Sequence, residues 1–303
     1  MNIKSFEHIY LLGVGGIGMS ALARYFVSQN KKVFGYDKVK SDITIHLEDE
    51  GVQISYIDDV DTIPEIFNVK NNSNQLVIYS SAITNNKIFS FFSNNSFKIC
   101  KRAEALGLIS KHYYTIAVAG THGKTTTSVM LAHILKQASV NCTAFLGGIS
   151  KNYNTNFLLS EESKYMVVEA DEYDRSFLKL HPSIGSITSM DADHLDIYET
   201  AEAFEAAFVQ FSKQIEQNLI HAYGLPLKGL TFGIDVEADY KAFNIHFRNM
   251  GYSFDLNTPK GMFKEITFNQ IGKHNIANAV CAIAMADQAG IPMESILKAL
   301  ETF

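Results

Sequence analysis

Residues 114–127 read YTIAVAGTHGKTTT: an apolar, β-branched run, a glycine loop, a lysine and three threonines. The run Tyr114–Ala119 predicts a strand, and the pattern beyond the lysine predicts a helix over 125–137. A glycine loop between strand and helix turns its amides toward the helix N-terminus, where the dipole favours an anion. Lys124 then suits the β- and γ-phosphates of a nucleotide, and the Thr125 hydroxyl suits Mg²⁺. Val118 stands where the standard loop has its first glycine, so this is the shorter GxxGKT form. Gly120, Thr121, His122, Gly123, Lys124, Thr125 and Thr126 are the candidate phosphate-binding residues. A strand–loop–helix of this kind belongs to an α/β fold with a parallel sheet.

Toward the N-terminus the same grammar recurs. Strand His8–Leu12 leads into Gly13-Val14-Gly15-Gly16-Ile17-Gly18, then a helix predicted over 19–28. A second strand, Lys32–Tyr36, ends at Asp37, about twenty residues after the glycines, where a dinucleotide fold holds a ribose. Three readings are open on these residues: an NAD site, a site for another nucleotide diphosphate, or a tight turn without a ligand. A further strand is expected over 75–80, followed by the turn-like Asn85-Asn86; the Asn-rich 71–74 suggests a surface loop.

Toward the C-terminus, two more strands are expected over 165–169 and 184–189, each ending in polar residues. The first runs into Glu169-Ala170-Asp171-Glu172, where carboxylates can ligate Mg²⁺ or simply be solvated. The second runs into Asp191-Ala192-Asp193-His194-Leu195-Asp196, where the histidine fits a metal ligand or a salt-bridged surface group equally well. An amphipathic helix is expected over 199–216 from Phe204, Phe208, Phe211 and Ile215. The alternating, aromatic stretch 230–268 suggests an antiparallel patch or edge. Gly272-Lys273-His274-Asn275-Ile276-Ala277-Asn278 opens a helix, either as a plain cap or with the imidazole against adenine and the amides on its edge. A last helix is expected over 293–300.

At 303 residues the chain suits two domains, placed here at 1–110 and 111–303. Hydrophobic residues make up 47%, which excludes global disorder. A net charge of −6 gives no footprint for nucleic acid. Three scattered cysteines without metal spacing suit reduced thiols. No stretch reaches the roughly 18 apolar residues of a membrane span, so a soluble cytoplasmic protein is expected.

Taken together, GTHGKTTT, VVEADEYDRSFL, SMDADHLDIY and GKHNIANAVCAIA, in this order and preceded by HIYLLGVGGIGMSALA and YSSAI, resemble the Mur ligase family over essentially the whole chain. Folylpolyglutamate synthetases share the ATP domain but not this N-terminal unit. The resemblance implies a Rossmann-like UDP-sugar domain followed by a P-loop-type ATP domain. It implies an ADP-forming carboxylate–amine ligase of peptidoglycan synthesis, most like the member that joins L-alanine to UDP-N-acetylmuramate through an acyl phosphate. The alternatives are the ligase that recycles murein tripeptides and, more remotely, an NAD-dependent oxidoreductase.

By the same resemblance, Gly15 and Gly16 bind the UDP diphosphate, with Asp37, Ser80 and Ser81 near the uridine. Lys124 holds the ATP β- and γ-phosphates. Thr125 and Glu169 ligate one Mg²⁺, and Glu169 and His194 a second. His274, Asn275 and Asn278 contact adenine. The family carries a third, amino-acid-binding domain, expected to be absent from this chain, so these 303 residues alone are expected not to form the amide. Stretch 214–224 is shorter than is usual for the family, and no lysine is assigned as carbamylated.

Overall fold

A computed structural model describes residues 1–68, 73–193, 195–248 and 250–303. Two compact units emerge, Met1–His112 and Tyr113–Phe303.

Among the described residues the first unit is built on a five-stranded parallel sheet. In chain order it comprises β1 (His8–Leu12), α1 (Ile17–Ser28), β2 (Lys32–Tyr36), α2 (Asp42–Asp49), β3 (Gln53–Ser55), β4 (Gln75–Tyr79), α3 (Lys87–Asn94), β5 (Lys98–Lys101) and α4 (Arg102–Ser110). The strand order is β3-β2-β1-β4-β5. The order reverses at β1, so the ends of β1 and β4 open on the crevice where such sheets bind ligands. An aromatic cluster packs beneath: Tyr10, Phe34, Phe67 and Phe92 meet edge-on or tilted, with ring centroids 4.9–5.7 Å apart. Helix α1 starts two residues before the predicted position, because Gly16 caps it directly off the loop. The Asn85-Asn86 turn is also a helix start, since the Asn86 side chain accepts from the Phe89 amide. Half of the stretch read as an Asn-rich loop, residues 71 and 72, lies outside the described residues.

Among the described residues the second unit is built on a ten-stranded sheet. It comprises β6 (Tyr114–Ala119), α5 (Lys124–Gln137), β7 (Cys142–Ser150), β8 (Thr155–Leu158), β9 (Tyr165–Glu169), β10 (Ile184–Ile187), α6 (Leu195–Tyr198), α7 (Ala201–Ser212), β11 (Asn218–Ala222), β12 (Leu230–Ile234), β13 (Tyr240–Arg248), β14 (Gly251–Thr258), β15 (Gly261–Phe268), α8 (Lys273–Gln288) and α9 (Met293–Leu300). The order is β15-β14-β13-β12-β11-β10-β6-β9-β7-β8. The apolar β6 lies centrally between β10 and β9, parallel to both, which suits a strand buried on both faces.

Two expectations change here. The stretch 230–268 is not antiparallel throughout: β12 pairs parallel with β11 and with the start of β13, and only β13, β14 and β15 form antiparallel ribbons. Alternating hydrophobicity marks a half-buried strand and carries no information on its direction. The helix read over 199–216 is shorter. Glu199 has φ 67°, Thr200 caps α7 by accepting from the Ala203 amide, and the helix ends at Ser212. Ile215 is apolar because it packs from the following loop onto Gly185 of β10.

Helix α5 is buried along most of its length, between the sheet and helices α8 and α9. It carries His133, whose Nδ1 lies 2.8 Å from the Tyr153 hydroxyl and whose Nε2 lies 3.1 Å from the Ala299 carbonyl. Donation from Nε2 to the carbonyl leaves Nδ1 to accept from the tyrosine. Burial lowers the pKa of this imidazole below its ordinary 6.5, partly opposed by the Ala299 bond. A depressed folded pKa gives stability that is present above the unfolded value and is lost as pH falls through the folded one. The melting temperature should therefore decline on acidification below about pH 6.5, and His133→Gln should flatten that decline. Parallel pH slopes for the two proteins would exclude His133 as the cause.

Candidate functional site

In the second unit the site forms where β6 and β9 end. Gly120 and Gly123 take φ values of 132° and 81°, which L side chains rarely adopt, and so let the backbone curl between β6 and α5. The loop is braced from β10's side of the sheet. Thr121 Oγ1 donates to the Asp191 carbonyl at 2.7 Å, the His122 amide donates to Ser189 Oγ at 2.9 Å, and Thr188 Oγ1 donates to the His122 carbonyl. The loop and the acidic segment after β10, separate in sequence, thus form one structure.

Lys124 opens α5 and points back into the loop. Its ammonium donates to the Gly120 carbonyl at 2.7 Å, the Thr121 carbonyl at 3.3 Å and Glu172 Oε1 at 2.7 Å. Glu172 is 2% exposed, so this is a buried ion pair. In sequence Glu172 stands within an acidic motif and has no role of its own. An acid three residues beyond a strand end looks solvated there; only burial shows otherwise. The Tyr198 hydroxyl, at the end of α6, donates to the Glu172 carbonyl at 2.5 Å and holds this turn in place.

Glu169 ends β9 and turns toward the Gly147 amide, which donates to its Oε2 at 3.2 Å. A Cβ on Gly147 would occupy the space of that carboxylate, and a Cβ on Gly148 would touch the Thr125 methyl at 3.5 Å. This Gly147-Gly148 pair, on the irregular part of β7, has no motif around it to mark it in sequence. Burial raises the Glu169 pKa, opposed by the Thr125 hydroxyl, the Lys124 charge and the Gly147 amide. Thr125 and Glu169 are therefore neighbours.

Asn278 in α8 reaches the loop from the other side, for a Cβ on Gly123 would strike its amide oxygen. Its Nδ2 lies 3.3 Å from Asn275 Oδ1, and Asn275 Nδ2 donates to the Ile271 carbonyl at 2.8 Å. His274 is exposed at the same helix start, its ring against Gly272. His122 is exposed and 3.8 Å from Asp191. Thr126 is half-buried. His194, expected as a metal ligand, lies outside the described residues. Among the described residues no group of three or more His, Cys, Asp or Glu is gathered to hold a metal.

In the first unit the glycine loop is closed by Asp37, whose Oδ2 accepts from the Gly15 amide at 2.8 Å and whose Oδ1 accepts from the Val39 amide at 3.1 Å. A Cβ on Gly15 would come within 2.9 Å of that carboxylate. Ser80 packs against Gly13, and its hydroxyl accepts from the Ala82 amide at 3.3 Å. Gly16, Asp37 and Ser80 thus cluster at the ends of β1, β2 and β4, with Ser81 exposed beside them.

Comparison with known proteins matches residues 8–114 to the Mur ligase family, catalytic domain, and residues 118–286 to the Mur ligase middle domain. The chain belongs to the Mur ligase family. Among Mur ligases it is 46% identical to the UDP-N-acetylmuramate–L-alanine ligase of Flavobacterium johnsoniae and 44% identical to that of Christiangramia forsetii, in each case over 100% of this chain and 67% of the relative. Its fold matches the UDP-N-acetylmuramate–alanine ligase of Thermotoga maritima with a TM-score of 0.85 at 27% identity, over 98% of this chain and 68% of that one. It also matches the UDP-N-acetylmuramate:L-alanyl-gamma-D-glutamyl-meso-diaminopimelate ligase from Neisseria meningitides, with a TM-score of 0.86 at 23% identity over 98% of both chains. The Mur ligase fold expected from sequence, a parallel-sheet unit followed by a mixed-sheet unit, is the one found. No helix among the described residues is long and apolar enough to cross a membrane.

Proposed function

We propose that this chain carries the UDP-sugar and ATP sites of a cytoplasmic, ADP-forming ligase that joins L-alanine to UDP-N-acetylmuramate in peptidoglycan synthesis. The observation that carries this reading is the identity of 41–46% to curated alanine-adding ligases across essentially the whole chain. The site geometry supports it. Lys124 and the amides around Gly123 hold the ATP phosphates, and Asn275, Asn278 and His274 at the start of α8 hold adenine. Thr125 and Glu169 offer adjacent hard oxygens, one of them a half-buried carboxylate, and together they would suit a Mg²⁺. His194 takes the role of ligand to a second Mg²⁺. Gly15 and Gly16 present amides to the UDP diphosphate, with Asp37, Ser80 and Ser81 at the uridine end.

The lactyl carboxylate takes the γ-phosphoryl group of ATP to give an acyl phosphate and ADP, and attack of the alanine amine on the acyl carbonyl expels inorganic phosphate and leaves an amide. The protein's share is to bring two anions together. Lys124 offsets their repulsion, a Mg²⁺ held by Thr125 and Glu169 would add positive charge there, and the braced loop fixes their approach. Little covalent work falls on side chains, so the chemistry calls for no nucleophile paired with a base.

An NAD-dependent oxidoreductase explains only Gly13–Gly18 and Asp37. It leaves Lys124, Glu169 and their buried surroundings without a task. The tripeptide-recycling alternative has a likeness of fold at 23% identity, against alanine-adding relatives at up to 46%. Isothermal titration with UDP-N-acetylmuramate, run beside NAD, tests the reading. Binding of the UDP-sugar that disappears in Gly15→Val is expected. Binding of NAD with no response to the UDP-sugar would overturn the assignment.

A further inference from the structure

We propose that Arg102 is the side-chain cation of the UDP diphosphate site, and that Gly18, the third glycine of the loop motif, is glycine in order to seat it. The inference rests on the UDP-sugar reading of the first unit and adds to it a residue that no motif marks.

The loop and first turn, Gly13 to Ser20, contain no charged residue. They offer a diphosphate backbone amides and a helix dipole, but no counter-charge of their own. The charge that closes the loop is of the wrong sign, since Asp37 accepts from the Gly15 amide. Arg102 comes from elsewhere in the chain, as the first residue of α4, which packs beside α1. The start of α4 is anchored, because the Lys101 amide donates to Glu104 Oε2 at 2.9 Å.

From there the half-buried Arg102 side chain lies across the first turn of α1. A Cβ on Gly18 would come within 2.8 Å of its Nη1, 3.0 Å of its Cδ and 3.2 Å of its Cζ. In loops of this kind the third glycine ordinarily serves close packing of helix on strand. Here the neighbour that fills the space is a guanidinium. Gly18 does not have positive φ and lies inside α1, so its backbone has no need of glycine. Alanine would favour the helix there. What glycine gives up in helix propensity it returns as room for Arg102. A guanidinium beside the amides of a helix start presents a planar fork to phosphate oxygens, a geometry that lysine does not reproduce.

The test is isothermal titration of this chain with UDP and, separately, with uridine, beside a thermal melt of each variant. Arg102→Gln should weaken UDP roughly tenfold to a hundredfold, as loss of a charge-assisted contact does, and leave uridine unchanged. Arg102→Lys should recover only part of the loss. Gly18→Ala should also weaken UDP, through displacement of the guanidinium, while its melting temperature holds or rises. Combined with Arg102→Gln it should add nothing further, because both changes remove the same contact. Unchanged UDP affinity in Arg102→Gln, an equal loss for uridine, or additive effects of the two substitutions would each overturn the proposal. A wild-type chain that binds uridine and UDP equally would overturn it as well. Failure of the wild type to bind either ligand is a distinct result: it removes the UDP-sugar reading itself, and this proposal with it.

Discussion

Lys124→Met is expected to lower both nucleotide affinity and stability, and the two losses should be separable. The ammonium donates to two loop carbonyls and to Glu172, which is 2% exposed. Removing one member of a buried pair strands the other charge in a low-dielectric site, at a cost of about 3–5 kcal/mol. Replacing both members by neutral groups of similar shape avoids most of that penalty. The double variant Lys124→Met/Glu172→Gln should therefore melt close to wild type, while the single variant melts well below it. Nucleotide binding should not recover in the double variant, because a charge-assisted contact to phosphate worth about 1.5–3 kcal/mol is gone in both. Thermal melts with calorimetric titration of Mg·ATP read the two effects independently. Recovery of ATP binding in the double variant would show that Lys124 acts through the fold and not on the phosphates.

Glu169→Gln should uncouple nucleotide binding from Mg²⁺ while making the unliganded protein more stable. The carboxylate is held between the Gly147 amide and the Thr125 hydroxyl, and burial raises its pKa above the ordinary 4.5. A raised folded pKa means that stability is full below the unfolded value and is lost as pH rises through the folded one. At pH 7 the charged side chain is thus a cost to the fold, accepted for the sake of a cation. Glutamine keeps the shape and removes the charge. Its melting temperature should exceed wild type at pH 7, and the gain should fade as pH approaches 4.5. Wild type should bind ADP more tightly in Mg²⁺ than in a chelator, and Glu169→Gln should bind equally in both. A variant that keeps the full Mg²⁺ effect would remove Glu169 from the metal site. Gly147→Ala offers a second route to the same state, since its methyl group occupies the carboxylate's place.

Local chemistry determined much of this protein from sequence alone. Strand–glycine loop–helix is a short-range pattern, set by apolar runs of strand length and by residues that tolerate tight turns. It is why β1, β2, β6 and β9 fall where the sequence predicts them, and why both glycine loops are legible in the chain itself. Family membership follows from the same stretches, because Lys124, Glu169 and Asn278 stand inside contiguous motifs.

Tertiary structure decided what depends on neighbours distant in the chain. The direction of β12 depends on its pairing with β11, and an alternating pattern reads the same either way. Ile215 keeps the apolar spacing of a helix while packing from a loop onto Gly185. Glu172 looks like any exposed acid in sequence, yet in the fold Lys124, 48 residues earlier, lies against it. Gly147 is an unremarkable glycine until Glu169 fills the place of its missing side chain, and Gly18 until Arg102 does the same. In each case the sequence carries the residue but not its partner. Burial, charge pairing and steric room belong to pairs of residues, and only the folded chain brings those pairs together.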